Sequence, residues 1–167
     1  MSFQTRLKEL YPNAKYSFDT NVYISIWRDH YPPDVFPGIY KVLKQMINGG
    51  IIKSTYPVQV ELKRQRDEIY QHFTSFSNLF IEPTKKEQNI VEKLVNNNRD
   101  FPKWGSGSSK KHLADPFVVA LAEAYDLTVV TYETGTNQNS IGRACEILDI
   151  EVYKFSEVLR EEGFSFG

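Results

Sequence analysis

Four carboxylates stand where an α/β chain could bring them to one place. Asp19 follows K-Y-S-F and Glu133 follows T-V-V-T-Y, each directly after a stretch that reads as a buried strand. Glu61 and Asp115 lie near the starts of segments that read as helices. In open α/β sheets, ligands bind beyond the carboxyl ends of the strands, so the four would meet at one sheet edge. Converging carboxylates repel one another, and their pKa values rise. A hard divalent cation, Mg²⁺ or Mn²⁺, relieves that repulsion, because it takes a few carboxylate oxygens and keeps waters for a substrate phosphate. The chemistry expected is metal-assisted phosphodiester hydrolysis. Each residue also has a plainer role. Asp19 with Thr20 and Asn21 could cap a helix. Asp115 could be an N-cap, with Pro116 at the first helical position. Glu61 alone reads as a solvated helix residue and Glu133 as a turn residue. Joint placement carries the chemical reading, and a capping carboxylate at a helix mouth serves both roles.

The elements that must position these groups follow from periodicity. Residues 15–19 read as a short strand, and 22–27 as a helix capped by Thr20 or Asn21 and broken by Tyr31-Pro32-Pro33-Asp34. Phe36, Ile39, Tyr40, Leu43, Met46 and Ile47 recur at helical spacing, and Asn48-Gly49-Gly50 ends that helix. The β-branched run 51–55 reads as a strand. A helix from Pro57 to about Phe76 carries Val60, Leu62, Ile69 and Phe73. Residues 79–81 read as a short strand or linker, and 87–96 as a helix. After Asp115-Pro116 comes a helix over 117–125, then a strand over 128–132 and a polar loop over 134–140. A helix over 141–148, a strand over 151–155 and a helix over 157–162 capped by Ser156 complete the chain. Strands without polar alternation, alternating with helices, predict a parallel sheet covered on both faces. The expected architecture is a three-layer α/β/α sandwich, mostly parallel and Rossmann-like, forming one domain over residues 1–167.

Composition bounds the function classes. The chain has 167 residues, 41% hydrophobic and 25% charged, which suits one ordinary globular domain. A formal net charge of −1 excludes a protein living on non-specific attraction to nucleic acid, so any such attraction must be local. Lys63, Arg64 and Arg66 form one basic patch, Lys85 and Lys86 a second, Lys110 and Lys111 a third. The single cysteine, Cys145, rules out a disulfide framework or a cysteine-based zinc site within one chain. His30, His72 and His112 lack metal-ligand spacing. Residues 1–11 carry charges throughout and do not read as a signal peptide. No apolar run reaches membrane length, so a cytoplasmic protein is expected. Residues 99–113 combine Pro, Gly, Ser and basic residues and read as a long surface loop. Lys103, Lys110 and Lys111 could neutralise phosphates there, and the Trp104 indole could stack on an unpaired base.

The motifs F-D-T-N at 18–21, V-E-L at 60–62, A-D-P-F-V-V-A-L-A at 114–122 and V-V-T-Y-E at 129–133 occur in one order over nearly the whole chain. In this the sequence resembles the PIN-domain family, and within it a less-studied prokaryotic subfamily. The resemblance implies a PIN-like fold and an Mg²⁺- or Mn²⁺-dependent endoribonuclease. Many such proteins are VapC-type toxins, often dimeric and restrained by a cognate antitoxin. It implies Asp19, Glu61 and Asp115 as metal ligands, Thr131 as a supporting hydroxyl and Asn21 as an accessory polar group. Glu133 departs from the pattern, where Asp is the commoner last acidic residue. Two rivals stand beside this reading. One is a catalytically weak PIN-like domain acting as an RNA-binding or protein-interaction module. The other is a phosphatase of the haloacid-dehalogenase type, which requires D-x-D where this chain has Asn21.

Overall fold

The computed structural model describes residues 10–65, 67–105 and 113–166. Five short strands form one sheet: β1 Tyr16–Phe18, β2 Ile52–Thr55, β3 Phe80–Ile81, β4 Thr128–Val130 and β5 Val152–Tyr153. Every residue of β1 and β2 is buried, the polar Ser17, Lys53, Ser54 and Thr55 included, as befits strands covered on both faces. The order is β3-β2-β1-β4-β5, and all four pairings are parallel. The chain thus winds outward from β1 through β2 to β3, then returns to the other side of β1 for β4 and β5. Right-handed crossovers in opposite directions lay helices on both faces. The strand order reverses between β1 and β4, and in sheets of this kind the crevice that takes ligands lies beyond the carboxyl ends of the strands at that switch point. This is the expected α/β/α sandwich with a parallel sheet.

The helices differ from the sequence expectation mainly at their ends. Helix α1, Thr20–Ser25, is capped by Asp19, which precedes it, rather than by Thr20 or Asn21. It runs on into a π-helical turn, Ile26–His30, closed where the Tyr31 amide donates to the Ile26 carbonyl at 2.7 Å. Helix α2, Pro37–Asn48, stops at Gly49 and Gly50, the latter at φ +77°, which glycine adopts without steric cost. The single helix expected after Pro57 is two: α3, Tyr56–Gln65, and α4, Glu68–Thr74. Asp67 makes the break, since its side chain turns back to accept from the Ile69 amide at 3.1 Å and caps α4. Helix α5, Lys85–Val95, begins in a capping box between Thr84 and the fully buried Glu87.

Two further corrections bear on the site. Residues 99–113 are not wholly loop, because Pro102–Gly105 form a helical turn, α6. Phe101 and Trp104 are buried there, with rings stacked at 4.3 Å and 13°. Apolar burial overrides the loop-like composition. In helix α7, Asp115–Tyr125, Ala114 is the N-cap and Asp115 the first helical residue, one position later than expected. Helix α7 is apolar on nearly all sides because it lies against β1, β2 and β4 with α5 packed outside it. Helices α8, Ile141–Leu148, and α9, Phe155–Glu161, close the chain, and Lys154, not Ser156, precedes α9. Among the described residues, no helix is long and apolar enough to cross a membrane.

Candidate active site

Asp19 leaves β1 at its carboxyl end, and its neighbour across the switch point is Thr131, the residue following β4. Both are buried. The Thr131 hydroxyl donates to Asp19 Oδ2 at 2.8 Å, and the Thr20 amide donates to Oδ1 at 2.8 Å. Having given its one proton to Asp19, the Thr131 oxygen accepts from the Glu133 amide at 3.0 Å and from Asn21 Nδ2 at 3.3 Å. Asn21 Oδ1 in turn accepts from the Tyr132 amide at 3.1 Å. Asn21 and Thr131 therefore lock the end of β4 against the start of α1, with Asp19 between them.

Asp115 enters from the other side, on the first turn of α7, where it is 7% exposed against 4% for Asp19. Burial, then Asp115, push the Asp19 carboxyl up to about 8, against the pull of its two hydrogen bonds. Burial, then Glu133 and Glu61, push Asp115 up to about 8 as well. The described partners of Asp19 are an amide and a hydroxyl, both neutral.

The two glutamates sit beside this pair and are held by the protein's own donors, two backbone amides and one hydroxyl. Glu61 Oε2 accepts from the Thr20 hydroxyl at 2.6 Å, and Oε1 accepts from the Ala114 amide at 3.0 Å. It thus fastens the residue after Asp19 to the residue before Asp115. Glu133 Oε1 accepts from the Ile141 amide at 3.0 Å, at the start of α8. Among the described residues, no three His, Cys, Asp or Glu side chains gather tightly enough to make a finished metal cage. The donor set nonetheless suits a hard cation of the magnesium type, which is commonly held through only one or two carboxylates, with water and phosphate completing the shell. Thr20 joins the site through its hydroxyl, a role that the helix-capping pattern of the D-T-N triplet does not signal. Thr55 stands at the carboxyl end of β2, and its buried hydroxyl has no hydrogen-bond partner among the described residues.

The basic and aromatic loop residues fare differently. Trp104 is 8% exposed and stacked on Phe101, so it is not the exposed base platform that the sequence suggested. Lys103 is exposed, its amide donating to Asn139 Oδ1 at 2.7 Å. Lys110 and Lys111 lie outside the described residues.

Two substitutions probe this construction. Thr131→Val keeps the volume of the side chain but strips the Asp19 carboxylate of a buried donor and the Glu133 amide of its acceptor. It should destabilise the protein by about 1–3 kcal/mol in urea unfolding at neutral pH. Gly142→Ala should act on Glu133, because a methyl at Gly142 would collide with the carbonyl oxygen of Gly135 in the loop between Glu133 and α8. Overpacking of this kind costs about 1–3 kcal/mol. An unchanged urea midpoint in either variant would show that the contact in question does not matter.

Residues 16–166 match a family model described as a domain of unknown function, DUF4411. No curated protein sequence matches the chain. Among solved structures, the fold is similar to that of VapBC2 from Rickettsia felis bound to a DNA fragment from their promoter. That likeness has a TM-score of 0.51 at 18% identity, over 83% of this chain and 97% of the other. FitAcB from Neisseria gonorrhoeae is similar at a TM-score of 0.50 and 16% identity, over 83% and 96%.

Proposed function

The chain belongs to the DUF4411 family, and on the geometry of its acidic crevice we propose that it is an Mg²⁺- or Mn²⁺-dependent endoribonuclease. The observation that carries the proposal is the pairing of Asp19 and Asp115. Two buried carboxylates, one at the end of β1 and one at the start of α7, open at the switch point of a parallel sheet. Asp19 and Asp115 would hold the cation, with Glu61 and Glu133 adding negative charge from positions fixed by the backbone. A divalent cation there supplies Lewis acidity toward a phosphodiester oxygen and toward a water nucleophile.

The chain's own residues do the positioning. Thr131 and the Thr20 amide orient Asp19 so that both oxygens have one donor each. Glu61 keeps the amino ends of α1 and α7 together.

An antitoxin partner is part of the proposal, supported by the PIN-like motifs and by the likeness to the VapBC2 and FitAcB structures. One observation favours a second reading, a PIN-like module that binds RNA or protein without cleaving. Three of the four glutamate oxygens beside the aspartates are already committed to the protein's own donors. Incubating the protein with a mixed RNA pool in Mn²⁺ and in EDTA separates the two. Cleavage in Mn²⁺ alone supports the nuclease, and intact RNA in both, with retained binding, supports the module.

A further inference from the structure

Trp104 is packed inside, whereas Tyr132 and His30 form an aromatic pair next to the carboxyl end of β4. Tyr132 follows Thr131 directly, and its amide is held by Asn21 Oδ1, so it stands one residue from the hydroxyl that clasps Asp19. The exposed imidazole of His30 lies over the half-buried Tyr132 ring, with centroids 4.7 Å apart and planes at 31°. Resting on the Nuclease reading above, we propose that His30, backed by Tyr132, is the stacking platform for one unpaired base of the nucleic-acid substrate.

The fold holds the turn that carries His30 from several directions. It is the last residue of the π-helical turn, a local geometry found often at functional sites. The Tyr31 amide closes that turn on the Ile26 carbonyl, and the Tyr40 hydroxyl donates to the Tyr31 carbonyl at 2.8 Å. Arg28 pairs with Asp67 at 2.6 Å, and Trp27 packs edge-on against Tyr40 with centroids 5.4 Å apart. These contacts hold the backbone that carries His30, and its ring is backed by Tyr132 with Tyr31 beside it at 6.3 Å between centroids, so a base that settles on it orders little that is not already placed. Stacking needs a free base face and no particular hydrogen-bond pattern, so such a platform selects unpaired strands without reading sequence. It also supplies affinity that does not depend on a basic surface, which suits a chain of net charge −1.

The test uses a single-stranded RNA 12-mer containing one 2-aminopurine, with Ca²⁺ replacing Mn²⁺ during binding. Wild type should quench the 2-aminopurine fluorescence on binding. His30→Ala combined with Tyr132→Ala should abolish the quench and weaken binding by about tenfold, the size of one base–ring contact. The slope of affinity against salt should stay the same, because it counts phosphates neutralised by basic side chains. His30→Phe should restore the quench, which a merely structural loss would not allow. In Mn²⁺, the double variant should lose cleavage chiefly through KM. Wild-type quench and affinity in the double variant would overturn the platform, as would wild type that fails to bind the 12-mer. Failure of the nuclease reading shows separately, as absence of Mn²⁺-dependent cleavage by wild type.

Discussion

Asp19→Asn is expected to abolish metal-dependent RNA cleavage while leaving the protein folded. The amide is nearly isosteric with the carboxylate, and asparagine caps helices as well as aspartate does, so the start of α1 is kept. Its one side-chain oxygen still accepts from the Thr20 amide, and its NH2 group, standing where Oδ2 was, donates to the Thr131 oxygen, whose own proton must turn elsewhere. The change removes a negative charge from the place where a cation would bind. Removing one electrostatic stabiliser from a pre-organised site commonly costs 10²–10³-fold in kcat, and a loss of roughly that size or more is expected here. Asp115→Asn should behave alike. Gel assays of a defined RNA, with circular dichroism to verify folding, decide the matter. Cleavage by wild type that persists in EDTA, or a folded Asp19→Asn protein with wild-type kcat, contradicts the mechanism.

The second large effect is on stability against pH in metal-free buffer. Asp19 and Asp115 both have folded pKa values raised to about 8 from an ordinary 3.8. Between those values the folded protein retains protons that the unfolded chain has released. The stability this contributes is complete below pH 4 and is lost as pH rises through about 8. The slope is about 1.4 kcal/mol per pH unit for each carboxylate while its proton is held. Urea midpoints in EDTA should therefore fall steeply between pH 5 and pH 8 for wild type. The double variant Asp19→Asn with Asp115→Asn should be much flatter and more stable at pH 8. Adding Mn²⁺ at pH 8 should restore wild type and leave the double variant unmoved. Parallel pH profiles for the two proteins would show that the aspartates do not share a buried, charge-starved site.

Much of this site is visible in the chain itself, for identifiable reasons. Asp19 and Thr131 stand at the ends of apolar, β-branched runs, and a parallel sheet brings strand ends to one edge whatever the helices between them do. Asp115 is legible through its Pro116 neighbour, although the cap falls on Ala114, one residue earlier. The long-range bonds of Glu61 are not legible. Its partners Thr20 and Ala114 lie 41 and 53 residues away, and no local pattern announces a backbone amide as the partner of a glutamate. The division of α3 from α4 turns on one side chain, Asp67, folding back over its own backbone, against a hydrophobic period that runs straight through. Trp104 shows the opposite error. A tryptophan among glycines, serines and lysines looks exposed, but its stacking on Phe101 and its burial outweigh its surroundings. The His30–Tyr132 pair joins residues 102 positions apart and depends on a π-helical turn that periodicity does not reveal.

The most direct test is a Mn²⁺ titration followed by loss of the free-ion paramagnetic signal, run on wild type, Asp19→Asn and Asp115→Asn at pH 8. If Asp19 and Asp115 form one cation site, wild type removes Mn²⁺ from solution and each single variant loses that binding. Wild type that leaves the free-ion signal untouched, or single variants that bind as tightly as wild type, would contradict it.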